Sequence, residues 1–572
     1  MMSRWEGKGA TLVLRQSFEI QLFSKIYPRW EGGISVTRKR KLALLAAYHK
    51  QPGLIVFAKW LRSHGYDLIA SGGTAKFLAA AEVKVQDVAE FVGGKDILGH
   101  RVVTLSRKIS AGILARRNHP EDIADILRES IRLIDLLFVD LYPFKEVAKD
   151  PWTTREVAIE LIDIGGPTLV REGAKAGIPT LTGYEQLEPF MTEWWPTFRS
   201  ADQATKVQMQ DAMSAACEFL ISQYCAAVAE YHSKGELVAL FGQKVDVGAT
   251  YGENRWQSSL TYYRLIGDML ENPLAVHHFK LLNPGTPMGA ITLIDLDRAV
   301  GTAAHAREAL VKNQGVVGVV GNIPIAVAVK HGNACGAAIG VDSLDLIEKV
   351  VWGNHISIFG GVLVLNQRFT LEMAKLLLRF KVEAKEKRIL AGIAAPRFSP
   401  EAIEYLQQHA GKRCKLWENP ALESDLCVSH EPIIRRVTGG WLVQSPYDFV
   451  LDLSPNGPIN VWPDSSEPYS VREYSALMRD LLLAWAVGST SNSNTITLVR
   501  AGRVIGNGVG QQDRVGAAKL AIQRARDAGL DPTGAVAYSD SFFPFPDGLE
   551  VCWRQPASGP SWPLVGRLMT NW

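Results

Sequence analysis

The sequence predicts an α/β protein, and three observations lead there. Short apolar runs at Leu42–Ala47, Tyr66–Ala70 and Asp135–Asp140 alternate with segments of helical period, the pattern of parallel strands with helices between them. Glycine turns join strand to helix at Ser71-Gly72-Gly73-Thr74 and at Ile164-Gly165-Gly166-Pro167. Far downstream, Ile323–Val329 is a nearly unbroken apolar run, as expected of a strand buried on both faces.

At 572 residues the chain exceeds what one hydrophobic core supports, so about two to four domains are expected. Hydrophobic content of 47% and charged content of 21% are those of a globular protein. The net charge of +3, with basic residues scattered among acids, gives no ground for nucleic acid or a membrane surface as partner. The six cysteines form no C-x-x-C pair, which speaks against a disulfide framework and a zinc site and fits a reducing compartment. No metal is therefore expected. No apolar run reaches the roughly 18 residues of a membrane span, so the expectation is a soluble, cytoplasmic protein.

Residues 1–40 lack a signal-peptide core, and with Glu6, Glu19 and Glu31 they are too acidic for a transit peptide. They read as a disordered extension or a start placed too far upstream. Regular structure begins at Leu42. Pro52 suits a helix N-terminus, with Leu54, Phe57, Ala58 and Leu61 at helical spacing and Gly65 as the stop. After the next strand, Ser71–Thr74 has the form of a phosphate cradle, because glycine lets backbone N–H groups approach an oxyanion at a helix start. Such turns are also common without a ligand. A strand over Asp135–Asp140 runs into Leu141-Tyr142-Pro143-Phe144. A helix near Thr154–Leu161 precedes Asp163 and Gly165-Gly166, which open a helix carrying Lys175 about three turns on. Residues 41–186 thus read as one compact domain. Residues 187–243, with Met191, Met209, Met213, Phe219 and Leu220, read as packed connecting helices whose methionines are core.

From Lys244 a second α/β region follows. Thr370 and Ser399-Pro400 are helix starts, Arg500-Ala501-Gly502-Arg503 is a hairpin turn, and Asp513 caps a helix ending near Gly529. The length points to two similar sub-domains, though no clean sequence repeat is visible. The chemistry concentrates at Lys330-His331, at the end of the buried strand. An imidazole there takes a proton from a weak nitrogen nucleophile, and an ammonium stabilises charge on a carbonyl oxygen. On these residues alone, a surface Lys-His pair is an equally good account.

The company of these residues decides it. S-G-G-T-A-K from Ser71, A-G-I-L-A-R from Ala111, L-Y-P-F from Leu141 and I-D-I-G-G-P-T from Ile162 occur in order. They are followed by Y-G-E-N from Tyr251, K-H-G-N-A-C-G from Lys330, F-G-G from Phe359 and S-P-E-A from Ser399. G-G-W-L-V-Q from Gly439, G-Q-Q-D-R from Gly510 and S-D-S-F-F-P-F-P-D-G from Ser539 complete the series. Together they resemble the bifunctional purine-biosynthesis family that joins AICAR formyltransferase to IMP cyclohydrolase. The resemblance implies an N-terminal methylglyoxal-synthase-like parallel-sheet domain. It also implies a C-terminal formyltransferase region, 244–550, of two cytidine-deaminase-like sub-domains without zinc. It implies formyl transfer from 10-formyltetrahydrofolate, as co-substrate, to the 5-amino group of AICAR, then closure of FAICAR to IMP with loss of water. A homodimer is implied, with no tightly bound cofactor and room for a monovalent cation.

By the same resemblance His331 is the base, Lys330 its oxyanion or proton-transfer partner, and Asn494 orients the carboxamide. Tyr251, Asn254, Asn333, Phe359 and Gly360 match the AICAR pocket, and Val515 and Asp540 the folate contacts. Ser71, Gly72, Gly73, Thr74, Arg101, Thr104, Gly165 and Gly166 match the substrate-binding part of the cyclohydrolase. Tyr142, Asp163 and Lys175 match its ring-closing cluster. Departures weigh against that second activity. The family's first loop, S-x-S-D-K-T-G, is here Ala47-Tyr48-His49-Lys50-Gln51-Pro52-Gly53, and a cluster lysine has become Val103. Thr250 stands for a phosphate-binding arginine, with Arg255 as its stand-in, Ala334 replaces a proline and Ala391 an acidic residue. Residues 551–572 depart from the family altogether. Back-translation of Ala557–Trp572 in another frame yields its missing P-G-G-S segment, which points to a frameshift near Cys552–Gln555. Two other readings compete: an impaired relative that binds purine nucleotide or pairs with an intact subunit, and a phosphate-eliminating lyase resting on the first domain alone.

Overall fold

The computed structural model describes residues 40–541 except 95–96, 99–101, 255, 267–271, 286, 319–320, 322, 384–385, 412 and 455–469. The expectations for residues 1–39, Arg101, Arg255 and the tail therefore lie outside the described residues. The chain divides into two compact units, residues 1–239 and 240–572.

In the first unit, β1 (Lys41–Ala47), α1 (Pro52–Ser63), β2 (Tyr66–Ala70), α2 (Gly72–Ala80), β3 (Gln86–Asp87), β4 (Leu136–Asp140), α3 (Gly165–Ala176) and β5 (Thr180–Leu181) follow in order. The strands form one sheet in the order β3-β2-β1-β4-β5, and every neighbouring pair is parallel. Buried on both faces, β1 and β4 are apolar throughout their centres, which is why they lack a two-residue alternation. The stripe Leu54, Phe57, Ala58, Leu61 is the buried face of α1, as its spacing predicts.

The helix α4 (Gln203–His232) closes this unit. Its methionines are core only in part: Cys217 and Ile221 alone are fully buried on it, and Met213 packs against the core from its edge, as Met191 does ahead of the helix. Met213 sits half-buried with its sulfur 3.1 Å from the Thr180 backbone nitrogen. Among the described residues α4 alone is long and apolar enough by length and composition to cross a membrane, although its apolar residues are interrupted by polar and charged ones. Its contacts are those of a helix docked on a domain. Ser214 donates to the Ala174 carbonyl at 3.0 Å, and Glu218 pairs with Arg171 on α3 at 3.3 Å.

The second unit begins with β6 (Phe241–Val245), β7 (Ala249–Tyr251), β8 (Tyr262–Ile266), β9 (Lys280–Leu281) and β10 (Met288–Gly289). Then come α5 (Ala290–Lys312), β11 (Ile325–Lys330), β12 (Asn333–Ile339), α6 (Ser343–Trp352) and β13 (Val362–Leu365). Next are α7 (Leu371–Arg379), β14 (Gly392–Ala395), α8 (Pro400–His409), β15 (Lys415–Glu418) and the hairpin β16 (Ile433–Val437) and β17 (Gly440–Gln444). The last stretch is α9 (Val471–Ser489), β18 (Ile496–Arg500), β19 (Arg503–Gly508), α10 (Arg514–Asp527) and β20 (Val536–Ser539). Nine strands form one mixed sheet in the order β20-β18-β19-β12-β11-β13-β14-β15-β9.

The repeat hidden in the sequence is plain in the topology. α5-β11-β12-α6-β13 and α9-β18-β19-α10-β20 run through the same helix-hairpin-helix-strand order, and the halves meet where β12 pairs with β19. Ile325, Val327 and Val329 face the core shared with α5 and α9, while Ala326 and Ala328 face the core shared with α6, α7 and α8. Helix starts fall where the sequence places them: Thr370, Ser399 and Asp513 each accept a backbone N–H of the first turn.

Candidate active sites

In the second unit, β11 and β12 are joined by His331-Gly332 alone, with Lys330 paired opposite Asn333. The predicted strand end is thus a two-residue hairpin. Both turn residues have positive φ, 52° and 73°, giving the primed turn whose twist matches its strands. Glycine takes this conformation freely, whereas for His331 it costs about 1 kcal/mol or more.

What holds the turn is Asp295, buried in α5. Its two carboxylate oxygens accept the N–H groups of His331 at 3.2 Å and of Gly332 at 2.6 Å. Burial raises the Asp295 pKa, opposed by those two donors and by the nearby His331 and Lys330 charges. The His331 side chain is exposed. Lys330 Nζ donates to the Phe359 carbonyl at 2.7 Å, leaving two of its N–H bonds free for a ligand in that geometry. Phe359 is exposed, and the Gly360 N–H donates to Ile389 at 2.7 Å.

Asn333 ties the turn to the other half of the repeat. Its amide donates to the His331 carbonyl at 3.2 Å, and its Oδ1 accepts the Asn492 N–H at 2.9 Å. Two residues on, Asn494 turns its side-chain amide to the Gln511 carbonyl at 3.0 Å. The Thr495 N–H then donates to Asp540 at 3.1 Å, and Asp540 is paired with Arg514, the neighbour of half-buried Val515. A chain of hydrogen bonds thus runs from the Lys330-His331 turn through Asn333 and Asn492 to the segment that carries Asn494 and bonds Asp540, with Phe359 held on Lys330. Tyr251 and Asn254 lie apart from it among the described contacts. The Tyr251 ring covers Gly289, where a Cβ would stand 2.7 Å from Cζ, and the Asn254 N–H donates to Gln257 at 2.8 Å. Thr250, in the place of the family's arginine, spends its hydroxyl on the Met288 backbone at 3.1 and 3.2 Å.

In the first unit, the site residues gather at the carboxyl ends of the parallel strands. Ser71 precedes α2, and its hydroxyl donates to Thr74 at 3.1 Å. Thr74 is fully buried, its hydroxyl held by both the N–H and the carbonyl of Ala47 at 3.1 and 3.2 Å. That hydroxyl supports β1, and of the turn only Gly73 is exposed, with Ser71 and Gly72 half-buried. Lys50, from the altered first loop, lies against this turn: a Cβ on Gly73 would stand 3.6 Å from its Cε. Burial lowers the Lys50 pKa, and Asp140 opposes the shift.

Across the sheet, Asp163 accepts the Gly166 N–H at 2.8 Å and lies 3.4 Å from the Tyr142 nitrogen. Burial pushes its carboxyl up, and the Asp140 charge adds to the rise. Burial likewise raises the Tyr142 phenol, with Asp163 as the next cause. Gly165 admits Thr104, whose Oγ1 would stand 2.8 Å from a Cβ there, and Gly166 admits the Leu141 side chain, 2.6 Å away by the same measure. Val103 is packed among apolar residues. Lys175 is exposed in the last turn of α3, nine residues or about 13 Å along the helix from Gly166. The structure thus joins Tyr142, Asp163, Thr104 and the two glycines, and sets Lys175 at the other end of the helix.

Sequence reasoning missed Asp295, Asp140, His49 and Arg514. Leu293–Ala299 carries two aspartates and an arginine, so nothing in the sequence singled out Asp295.

Comparison with known proteins finds two family models along the chain. The AICARFT/IMPCHase bienzyme family model matches residues 193–524, and the MGS-like domain model matches residues 53–168. The Bifunctional purine biosynthesis protein PurH of Thermosynechococcus vestitus is 33% identical over 525 residues, covering 89% of this chain and 92% of that protein. The protein of the same name from Prochlorococcus marinus (strain MIT 9211) is 31% identical over 524 residues, with 90% and 92% covered. That from Synechococcus sp. (strain CC9311) is 34% identical over 522 residues, with 89% and 91% covered. With a methylglyoxal-synthase-like unit ahead of a duplicated formyltransferase unit, the chain belongs to the AICAR formyltransferase/IMP cyclohydrolase family of bifunctional purine-biosynthesis enzymes.

Proposed function

We propose that formyl transfer takes place at the Lys330-His331 turn, and the observation that carries this is the turn's set of neighbours. Lys330 is fixed on the Phe359 carbonyl, and Asn333 links the turn to the segment bearing Asn494. The 5-amino group of AICAR is conjugated with its imidazole and carboxamide, so its lone pair is a poor nucleophile. His331 takes the amine proton as nitrogen attacks the formyl carbon of 10-formyltetrahydrofolate, a contribution of ~10²–10⁴ in rate for a well-placed base. Lys330 stabilises the oxygen as it gains charge, in a preset position. In this reading Asn494 orients the carboxamide, Asn333, Phe359 and Gly360 contact AICAR, and Val515 and Asp540 contact the folate, whereas Tyr251 and Asn254 have their described contacts elsewhere. No tightly bound cofactor is needed for these steps.

The product FAICAR closes to IMP in the first unit. There the turns at Ser71, Gly72 and Gly73 and at Gly165 and Gly166, with Arg101 and Thr104, hold the substrate. Thr74 supports the first turn from beneath, and Tyr142 and Asp163 serve the ring closure, while Lys175 stands at the far end of its helix. The domain limits that go with this reading are 41–186 for the cyclohydrolase, 187–243 for the helical connection and 244–550 for the formyltransferase. The protein works in the cytoplasm as a homodimer. Two two-stranded sheets support the dimer by presenting apolar side chains to solvent: Trp441, Leu442 and Val443 on β17, and Tyr263 and Leu265 on β8. Sedimentation of the purified chain tests it, with a mass of one chain at micromolar concentration as the refuting result.

For the chemistry, purified protein is supplied with AICAR and 10-formyltetrahydrofolate while tetrahydrofolate release and IMP are followed. His331→Ala is expected to lower release at least 100-fold with AICAR binding retained. Release at the unaltered rate in that variant removes the assignment, and AICAR binding without turnover in the unaltered chain favours an impaired relative.

A further inference from the structure

The first loop of this chain has lost the family's hydroxyl and carboxylate side chains, yet it does not leave the site bare. Strand order reverses at β1: β2 and β3 lie to one side of it, and β4 and β5 to the other. The crevice outside the carboxyl ends of β1 and β4 is where open parallel sheets hold their ligands. His49 follows β1, and Asp140 is the last residue of β4, so the two stand on opposite walls of that crevice.

They are joined across it. His49 Nδ1 lies 3.1 Å from one Asp140 carboxylate oxygen and 3.3 Å from the other, and the His49 backbone N–H donates to the same carboxylate at 2.6 Å. The Tyr48 N–H donates to the Asp140 carbonyl at 3.1 Å, fixing the loop on β4. A carboxylate on Nδ1 sets the ring's orientation and leaves Nε2 as the nitrogen available to a ligand. Among the described residues no hydrogen bond engages Nε2. About half of the His49 side chain is exposed, against 13% for Asp140. The groups around the imidazole place it in the ring-closing cluster. The Tyr48 ring packs edge-on to His49 at 5.0 Å and against Tyr142 at 5.0 Å, Tyr142 neighbours Asp163, and the Tyr184 hydroxyl donates to the His49 carbonyl. The next residue, Lys50, reaches the Gly73 turn on the far side.

From this geometry we infer that His49, oriented by Asp140, is the proton-moving group of ring closure in this chain. The inference rests on the reading that the first unit converts FAICAR to IMP. His49 Nε2 takes one proton of the carboxamide –NH2 as its nitrogen bonds to the formyl carbon and the C=O electron pair moves onto oxygen. Solvent protonates that oxygen. The imidazolium then returns its proton to the hydroxyl, the C–O bond breaks and water leaves. The formamido nitrogen forms the C=N bond and releases its own proton to solvent, so that one water is lost and no redox partner is needed.

The test supplies synthetic FAICAR to the full-length protein and measures IMP. Expected are a fall in kcat of at least 100-fold for His49→Gln and for Asp140→Asn, KM for FAICAR within about twofold, and unchanged formyl transfer to AICAR in both variants. Unchanged formyl transfer, with an unaltered circular dichroism spectrum, reports that the fold survives. His49→Gln turning over FAICAR at the unaltered rate overturns the inference. A failure of the unaltered protein itself to form IMP overturns the underlying reading instead, and is told apart because no variant is needed to see it.

Discussion

His331 is held in a backbone conformation it does not prefer by a carboxylate 36 residues upstream. Because the two Asp295 oxygens face two N–H donors, Asp295→Asn would turn an –NH2 toward one of them and displace the turn. A displacement of an ångström is enough to cost a base most of its effect. The expected outcome is a fall of about tenfold or more in formyl-transfer kcat with KM for AICAR within about twofold, read by steady-state kinetics. Asp480 makes the same two bonds, at 2.8 and 2.7 Å, to the positive-φ turn Ala501-Gly502. With alanine in the place of the imidazole, Asp480→Asn is expected to leave that kcat within about twofold. At this scale Lys330, His331 and Asn494 stood out in the sequence because each lies in a motif of contiguous residues, K-H-G-N and S-N-S-N-T. Asp295 was not, since a carboxylate acting through backbone N–H groups leaves no local pattern. Thr74 was legible only as a hydroxyl in a glycine turn, and its direction, inward to Ala47, belongs to the tertiary packing.

Among elements, the helix-to-hairpin brace has a pH signature. Burial pushes the Asp480 carboxyl up to about 6, against the two N–H donors that pull it down. A carboxyl whose pKa is higher folded than unfolded binds its proton more tightly in the folded state. Its stabilisation is fully present below the unfolded value near 4 and is lost as pH rises through about 6. Across that window the unfolding free energy is expected to fall by on the order of 3 kcal/mol from this group. Subtracting urea-denaturation curves of Asp480→Asn from those of the unaltered protein isolates the slope, and a difference flat from pH 4 to 7 refutes it. Helix starts and strands were readable here because caps and apolar runs are local. The primed turns were partly so: R-A-G-R announced a hairpin, while K-H-G-N read as a strand end, since histidine is not a usual turn residue.

For the whole molecule, two units carry separate cores, one around β1 and β4 and the other on both faces of the nine-stranded sheet. Calorimetry is accordingly expected to show two transitions. Phe138, fully buried with its ring 5.2 Å from Tyr184 and 6.3 Å from Phe57, tests this. Phe138→Ala is expected to destabilise one transition by about 3–5 kcal/mol and to leave the other, along with formyl transfer, in place. A common downward shift of both would show a single cooperative unit. Alternating strands and helices made the α/β class legible. The single sheet was not, because its central seam pairs Ala338 with Arg503, a partnership no local period records.

The duplicated brace also separates scaffolding from chemistry within one polypeptide. Arg500-Ala501-Gly502-Arg503 is a second socket of the same shape without a histidine, so the chain holds an internal blank for the turn at which formyl transfer is proposed. Exchanging residues between the two sockets would show how much of the reaction belongs to a histidine, and how much to the wall it stands on.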